Sequence, residues 1–170
     1  MDNERQPLIS VIMACYNAAP FVEEAISSVL QQTIEDTEVV VVDAGSDDAS
    51  PEIVTRLSDE HPGRVRLIQI EHSGPYPARN AGLGKARGDY IAFLDADDQW
   101  EQDKLNVYSE SIDAFDSHSP GMVFSDLSRW DFSSGVRYEK NNSEFYPYFS
   151  RYTSKKRGDA YLLRGERLFE

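Results

Sequence analysis

Short apolar runs alternate with longer amphipathic stretches through the first two thirds of this chain, the pattern of buried parallel strands joined by helical crossovers. The first run, Leu8 to Ala14, precedes a helical stretch from about Pro20 to Gln32 in which Phe21, Val22, Ala25, Ile26, Val29 and Leu30 share one face. Val39 to Val42 are four consecutive valines, as expected of a strand covered on both faces, and the run ends at Asp43. Ser50 followed by Pro51 predicts a helix start with Ser50 as N-cap, and Pro62 and Gly63 punctuate the chain before a third strand, Val65 to Ile70. A third helix is expected from Pro77 to Ala86. Gly88 then leads into a fourth strand, Tyr90 to Leu94, which runs into Asp95, Ala96, Asp97 and Asp98, with a helix from about Glu101 to Phe115 beyond. After Pro120 and Gly121 the texture changes to a strand at Met122 to Asp126, a loop-rich stretch holding Tyr138, Phe145, Tyr146, Tyr148, Phe149 and Tyr152, and a last helix from Gly158 to Phe169. The fold class is α/β, and no internal repeat sets a different architecture.

Composition narrows the partners. The 170 residues carry 30 acidic against 17 basic side chains, a net charge of -13. That is the wrong sign for neutralising nucleic-acid phosphates, so nucleic acid is set aside. An acidic balance is commonly a solvated surface, yet carboxylates placed together also hold divalent cations, so position has to decide. Met1 to Pro7 is polar, and no segment approaches the roughly 20 apolar residues of a membrane span, which predicts a soluble, cytoplasmic chain. The single cysteine, Cys15, is read as a small buried residue, and the sequon at Asn141 to Ser143 matters only in a secreted protein.

Ligands of open parallel sheets bind beyond the carboxyl ends of the strands, where strand order reverses. With the order 3-2-1-4, Tyr16 and Asn17 follow strand one, Asp43 ends strand two, and Asp95 and Asp97 follow strand four, all toward one edge. Three carboxylates on one tight turn repel one another unless solvent or a cation compensates, and Mg²⁺ takes one or two carboxylates together with phosphate oxygens. The alternative is an exposed turn whose Asp98 caps the following helix. Asp43 is equally a turn residue near Gly45 and Ser46, Tyr16 a half-buried aromatic or a face on which a base stacks, and Arg79 a surface charge or a phosphate contact. His61, His72 and His118 lack metal-ligand spacing and are read as surface residues.

Three segments in order, SVIMACYNAAPFVEEAISSVLQQT, VVVVDAGSDDAS and PARNAGLGKARGDYIAFLDADDQW, closely resemble the family 2 glycosyltransferases of the GT-A fold over roughly residues 7 to 126. The resemblance implies a Rossmann-like, mostly parallel sheet of order 3-2-1-4 with flanking helices, incomplete at the C-terminus. It implies an enzyme that takes a nucleoside diphosphate sugar, UDP-linked by preference, and transfers the sugar with inversion to a glycan or lipid-linked acceptor. By motif position, Tyr16 and Asn17 would lie at the nucleotide with Tyr16 against the base, Asp43 would contact base or ribose, and Arg79 would help to hold the nucleotide. Asp95 and Asp97 match the DxD motif, with Asp97 and then Asp98 as ligands of Mg²⁺ or Mn²⁺. Such a protein works in polysaccharide biosynthesis in the cytoplasm, drawn to the inner face of the membrane through its acceptor.

The chain departs from the family's pattern at two places. Ala44 stands where many members carry a second aspartate, which puts base specificity in question. An inverting reaction also needs a carboxylate base, and after Asp98 no acidic pair follows: Asp126, Asp131, Asp159 and Glu166 stand singly. The base is therefore expected after Glu170. On this reading residues 7–126 form the nucleotide-sugar-binding domain, residues 127–170 the truncated, aromatic start of the acceptor side, and the chain alone binds donor without transferring it. A haloacid-dehalogenase-like phosphatase carries its Asp-x-Asp after the first strand rather than the fourth. Dinucleotide oxidoreductases and sugar-phosphate nucleotidyltransferases want a glycine-rich turn where this chain reads ACYNAAP. The remaining alternative is a non-catalytic fragment or relative that binds a nucleotide sugar and transfers nothing.

Overall fold

A computed structural model describes residues 8–113, 122–125, 127–131, 136–140, 153–157 and 160–163. The chain divides into two compact units, Met1–Lys104 and Leu105–Glu170. In the first, strands β1 (Ile9–Cys15), β2 (Thr37–Asp43), β3 (Val65–Gln69) and β4 (Tyr90–Phe93) alternate with helices α1 (Val22–Leu30), α2 (Ser50–Glu60) and α3 (Pro75–Leu83). All pairings are parallel, as the hydrophobic pattern predicts, and the order is β3-β2-β1-β4, the doubly wound arrangement that the family resemblance implies. Helix α4 (Lys104–Asp113) follows, and it starts later than expected; Phe115, its expected end, lies outside the described residues.

The valine run of β2 is buried at every position, because helices cover both faces of the central strands. On one face Ile12, Val40 and Val42 pack with Ala44 and with Ala78 of α3. The opposite face receives Val22, Ala25, Ile26 and Val29 of α1 and Val54 and Leu57 of α2. Helix α3 can approach so closely only because residue 82 is glycine: a Cβ there would lie 2.6 Å from Ile12 Cγ2 and 3.1 Å from Val42 Cγ2. Burying these side chains is what holds the layers together, at about 25 cal/mol per Å² of apolar surface.

A polar pin closes the lower part of the sheet. Glu38 of β2, 1% exposed, lies in register with Ser10 of β1, whose hydroxyl donates to Oε1 at 2.7 Å. The Arg87 amide donates to the same oxygen at 2.9 Å, while Arg66 Nη1 and Arg87 Nε donate to Oε2 at 2.9 and 3.0 Å. Burial pushes the Glu38 carboxyl up, but the bonds from Ser10, Arg66 and Arg87 outweigh it and hold the group below the ordinary glutamate range.

Several local expectations are corrected. Phe21 does not join the buried face of α1; it sits at the cap position and is exposed, because the helix begins only at Val22. Ser50 is the first residue of α2 rather than its N-cap, with Ala49 at the cap, and Asp48 accepts the Ser50 N–H at 2.9 Å. Helix α3 begins at Pro75, two residues early, since both Pro75 and Pro77 fit a first turn whose N–H groups have no helical acceptor.

In the second unit β5 (Met122–Ser125), β9 (Ala160–Leu163) and β8 (Thr153–Arg157) form an antiparallel sheet in the order β5-β9-β8, and β6 (Leu127–Asp131) pairs with β7 (Val136–Lys140). The last helix, expected over Gly158–Phe169, is contradicted: Ala160–Leu163 is a strand. Its sequence AYLL carries an aromatic residue and pairs on both sides, and sheet pairing overrides the helical propensity of alanine and leucine. Tyr138 lies in β7, whereas residues 145–152, the sequon, Asp126, Asp159 and Glu166 fall outside the described residues.

Candidate functional site

Parallel pairing brings the carboxyl ends of all four strands to one edge. Cys15 is level with Asp43 and Asp43 with Gln69, while the Leu94 amide donates to the Ile12 carbonyl, so Asp95 emerges beside the end of β1. Tyr16, half exposed, leaves β1 at this edge, and its ring meets that of His72, from the loop between β3 and α3, with centroids 4.5 Å apart and planes tilted by 52°. His72 Nδ1 stands 3.2 Å from the Ala44 carbonyl oxygen. The backbone of His72 also crosses Gly45, which has φ +79°, and a Cβ there would come within 3.2 Å of the His72 nitrogen. One imidazole therefore touches the ends of β1 and β2.

A clasp of side-chain bonds ties the loop after β1 to the loop after β2. Asn17 adopts the left-handed conformation, φ +51°, which asparagine tolerates better than most residues. Its side-chain amide donates to Asp47 Oδ1 at 2.7 Å and its carbonyl oxygen accepts the Asp47 N–H at 3.0 Å. The backbone amides of Asn17, Ala18 and Ala19 donate in turn to Ser46 Oγ, Ser50 Oγ and Asp48 Oδ2, each at 2.9 Å. Asp43, 2% exposed, accepts the Ser46 hydroxyl on Oδ1 and the Ser46 N–H on Oδ2 at 3.3 Å. Cys15 lies beneath, its thiol pushed up to about 11, chiefly by burial and further by Asp43 and Asp48 against a Ser50 bond that lowers it. At neutral pH that thiol stays protonated and unreactive.

The cation of the site is Arg79, placed by α3, and its Nη2 forms an ion pair with Asp95 Oδ1. Asp97 and Asp98 are exposed on the turn that follows, and the Asp98 amide closes the turn on the Asp95 carbonyl at 3.0 Å. Partial desolvation, then the charges of Asp97 and Asp95, push the Asp98 carboxyl above the ordinary aspartate range, with Lys104 opposing. Like charges crowd this turn, as three carboxylates in four residues should. Among the described residues no group of three or more His, Cys, Asp or Glu side chains is placed to hold a metal. Asp97 and Asp98 nonetheless offer the hard oxygen donors that Mg²⁺ or Mn²⁺ takes, in the number that leaves coordination positions for phosphate and water.

The sequence-derived residues thus share one edge, but in different states. Tyr16, Asp97 and Asp98 are exposed, Arg79 is engaged by Asp95, and Asn17 and Asp43 are bound within the clasp. His72 was missed, as were Ser46, Asp47, Asp48 and Ser50. The clasp had a signal, since GSDDAS offers four Ser and Asp side chains suited to capturing backbone amides; His72 had none. A cavity of about 670 Å³ lies elsewhere, lined by Glu52, Arg56 and Asp59 of α2 among others, and brings none of the site residues together.

The family model described as glycosyl transferase family 2 matches residues 10–165. The chain belongs to this family. A relative, the succinoglycan biosynthesis protein ExoO of Rhizobium meliloti, is 44% identical over 112 residues, covering 65% of this chain and 31% of the relative. An uncharacterized glycosyltransferase of Nostoc is 43% identical over 108 residues, 64% of this chain and 34% of its own. The chain spans about a third of the length of these relatives. Among solved structures, S. aureus TarS 1-349 in complex with UDP superposes with a TM-score of 0.62 at 29% identity, covering 75% of this chain and 37% of that one. The mannosyltransferase PcManGT of Pyrobaculum calidifontis, in complex with GDP-Man and Mn²⁺, gives 0.63 at 26% identity, covering 95% and 45%. The sheet of order β3-β2-β1-β4 with its flanking helices is accordingly the GT-A fold of glycosyltransferases. Among the described residues no helix is long and apolar enough to cross a membrane.

Proposed function

We propose that this family 2 glycosyltransferase chain binds a UDP-linked sugar at the edge formed by Tyr16, Asp43, Arg79 and Asp95 to Asp98, and that its residues serve an inverting, cation-dependent transfer to a glycan or lipid-linked acceptor. The observation that carries the proposal is the convergence, on the carboxyl edge of a GT-A sheet, of an exposed aromatic face, a guanidinium and an acidic turn. A TarS structure with UDP-GlcNAc, as well as the one with UDP, supports the choice of uridine.

In this reading Tyr16 lies against the base, Asn17 fixes the loop that presents it, and Asp43 supports base or ribose. Arg79 holds the nucleotide in exchange for part of its bond to Asp95. Asp97 and Asp98 would hold Mg²⁺ or Mn²⁺, which supplies Lewis-acid neutralisation of the departing diphosphate. None of these residues is assigned as the general base, because this reading gives each of them a donor-side role. Residues 7–126 make the nucleotide-sugar-binding region and residues 127–170 begin the acceptor side. With a lipid-linked acceptor, transfer would take place in the cytoplasm at the membrane face.

Calorimetry with UDP, GDP, dTDP and CMP, each with Mn²⁺ or with EDTA, tests the proposal. UDP should give the strongest heat with Mn²⁺, and EDTA or Asp97→Ala should remove most of it. Unchanged UDP affinity under both perturbations refutes the cation site; absence of nucleotide binding by the wild-type chain refutes the donor site as a whole.

A further inference from the structure

We propose that His72 selects the nucleobase, with its ring continuing the aromatic wall begun by Tyr16 and its Nε2 accepting a hydrogen bond from a base that carries a ring N–H. The inference rests on the donor site proposed above. The two rings meet at 4.5 Å and both side chains are exposed, so a planar ligand that covers Tyr16 also reaches His72. Nδ1 is 3.2 Å from the Ala44 carbonyl, an oxygen that can only accept; the bond therefore places the proton on Nδ1 and leaves Nε2 of the neutral ring with a free lone pair. Among the described residues Nε2 has no hydrogen-bond partner. Asp43 is worse placed for this task, being 2% exposed with each oxygen already accepting from Ser46. Ala44, having only a methyl group, supplies no side-chain acceptor of its own.

The chemistry predicts the preference. Uracil and thymine carry an imide N–H between two carbonyls, which a neutral imidazole nitrogen can accept; cytosine has a bare acceptor nitrogen at that position and would face the Nε2 lone pair. Wild-type chain with Mn²⁺ should therefore bind UDP more tightly than CDP. His72→Phe keeps an aromatic ring beside Tyr16 but removes the acceptor, so UDP should weaken by about 2- to 12-fold, the usual worth of one hydrogen bond. CDP should stay within about twofold, and the ratio between the two should collapse. His72→Ala removes ring and nitrogen and should weaken both nucleotides, whereas His72→Gln, with a carbonyl near the Nε2 position, should restore part of the preference for UDP. Urea midpoints equal to wild type establish that the variants are folded. A UDP to CDP ratio unchanged in folded His72→Phe overturns the assignment of His72 while leaving the donor site standing. Failure of the wild-type chain to bind either nucleotide overturns the donor site and, with it, this inference.

Discussion

Replacing Glu38 by glutamine tests the pin in the sheet with little change of shape. The carboxylate receives the Ser10 hydroxyl and the Arg87 amide on one oxygen and two guanidinium groups on the other. An amide has only one acceptor oxygen. If that oxygen stays with Ser10 and the Arg87 amide, the new NH₂ faces Arg66 and Arg87 donor to donor; the reverse orientation sets it against the Arg87 N–H. Removing one partner of a buried ion pair costs about 3–5 kcal/mol, because the surviving charge is stranded. Here the Arg66 and Arg87 side chains are 29% and 34% exposed and regain water, so the cost falls toward about 2–3 kcal/mol. For a unit of this size that corresponds to a melting temperature lower by roughly 10 to 20 °C.

The dependence on pH gives the same test a sign. The folded pKa of Glu38 is depressed, so its contribution is fully present above the unfolded value of about 4.3 and is lost as pH falls through the folded pKa. Urea unfolding of wild type and Glu38→Gln should therefore show a gap that is constant from about pH 5.5 to 7 and narrows below about pH 4.3. A gap under about 0.5 kcal/mol at pH 7, or one that widens in acid, refutes the argument that these bonds outweigh the cost of burying the charge.

Other perturbations separate packing from binding. Tyr16→Ala should weaken UDP by about 5- to 150-fold, the range of base stacking on an aromatic ring, with the urea midpoint unchanged, whereas Tyr16→Phe should be mild; loss of the fold would make Tyr16 a core residue. Gly82→Ala sets a helix-propensity gain of about 1 kcal/mol against overpacking of about 1–3 kcal/mol. With Ile12, fully buried, 2.6 Å from the new Cβ, overpacking should win, and a higher urea midpoint would contradict the close approach of α3. Asp98→Asn should raise the melting temperature in EDTA, since a carboxyl whose folded pKa is raised opposes folding once ionised, and should lose that advantage in Mn²⁺; a lower melting temperature in EDTA would mean that the turn is not under charge repulsion.

Much of the fold was legible because its signals are local or periodic. Four consecutive valines are what a strand covered on both faces carries, and β2 has that position. The alternation of strands and helices gave the parallel crossovers, whereas the order of the strands came from the resemblance to the GT-A fold, and the structure has that order. Helix ends were less legible: Phe21 fits the apolar stripe of α1 but falls before its first turn. The final helix failed because Ala160–Leu163 is held as a strand by its neighbour β8, two residues before it, and by β5, about 35 residues upstream, and a four-residue apolar segment does not by itself announce either pairing. Within the site, strand position sufficed to place Tyr16, Asp43 and Asp95 at one edge. The ring contact of His72 joins residues 56 positions apart, and nothing in its own neighbourhood announces that contact.

The clasp after β1 has a further consequence for where anions can be received. Three successive amides at the mouth of a doubly wound sheet are elsewhere a ready cradle for a pyrophosphate, which a glycine-rich turn leaves open. Here the amides of Asn17, Ala18 and Ala19 are already filled by Ser46, Ser50 and Asp48. Two of those acceptors are hydroxyl oxygens and the third is a carboxylate, so an arriving phosphate finds that cradle occupied and a negative charge beside it. The chain has in effect supplied its own anion there. On the donor site proposed above, a diphosphate would instead be carried by Arg79 and the acidic turn on the other side of β1, and its binding strength should then depend on dissolved Mn²⁺ where a Rossmann dehydrogenase depends on backbone amides.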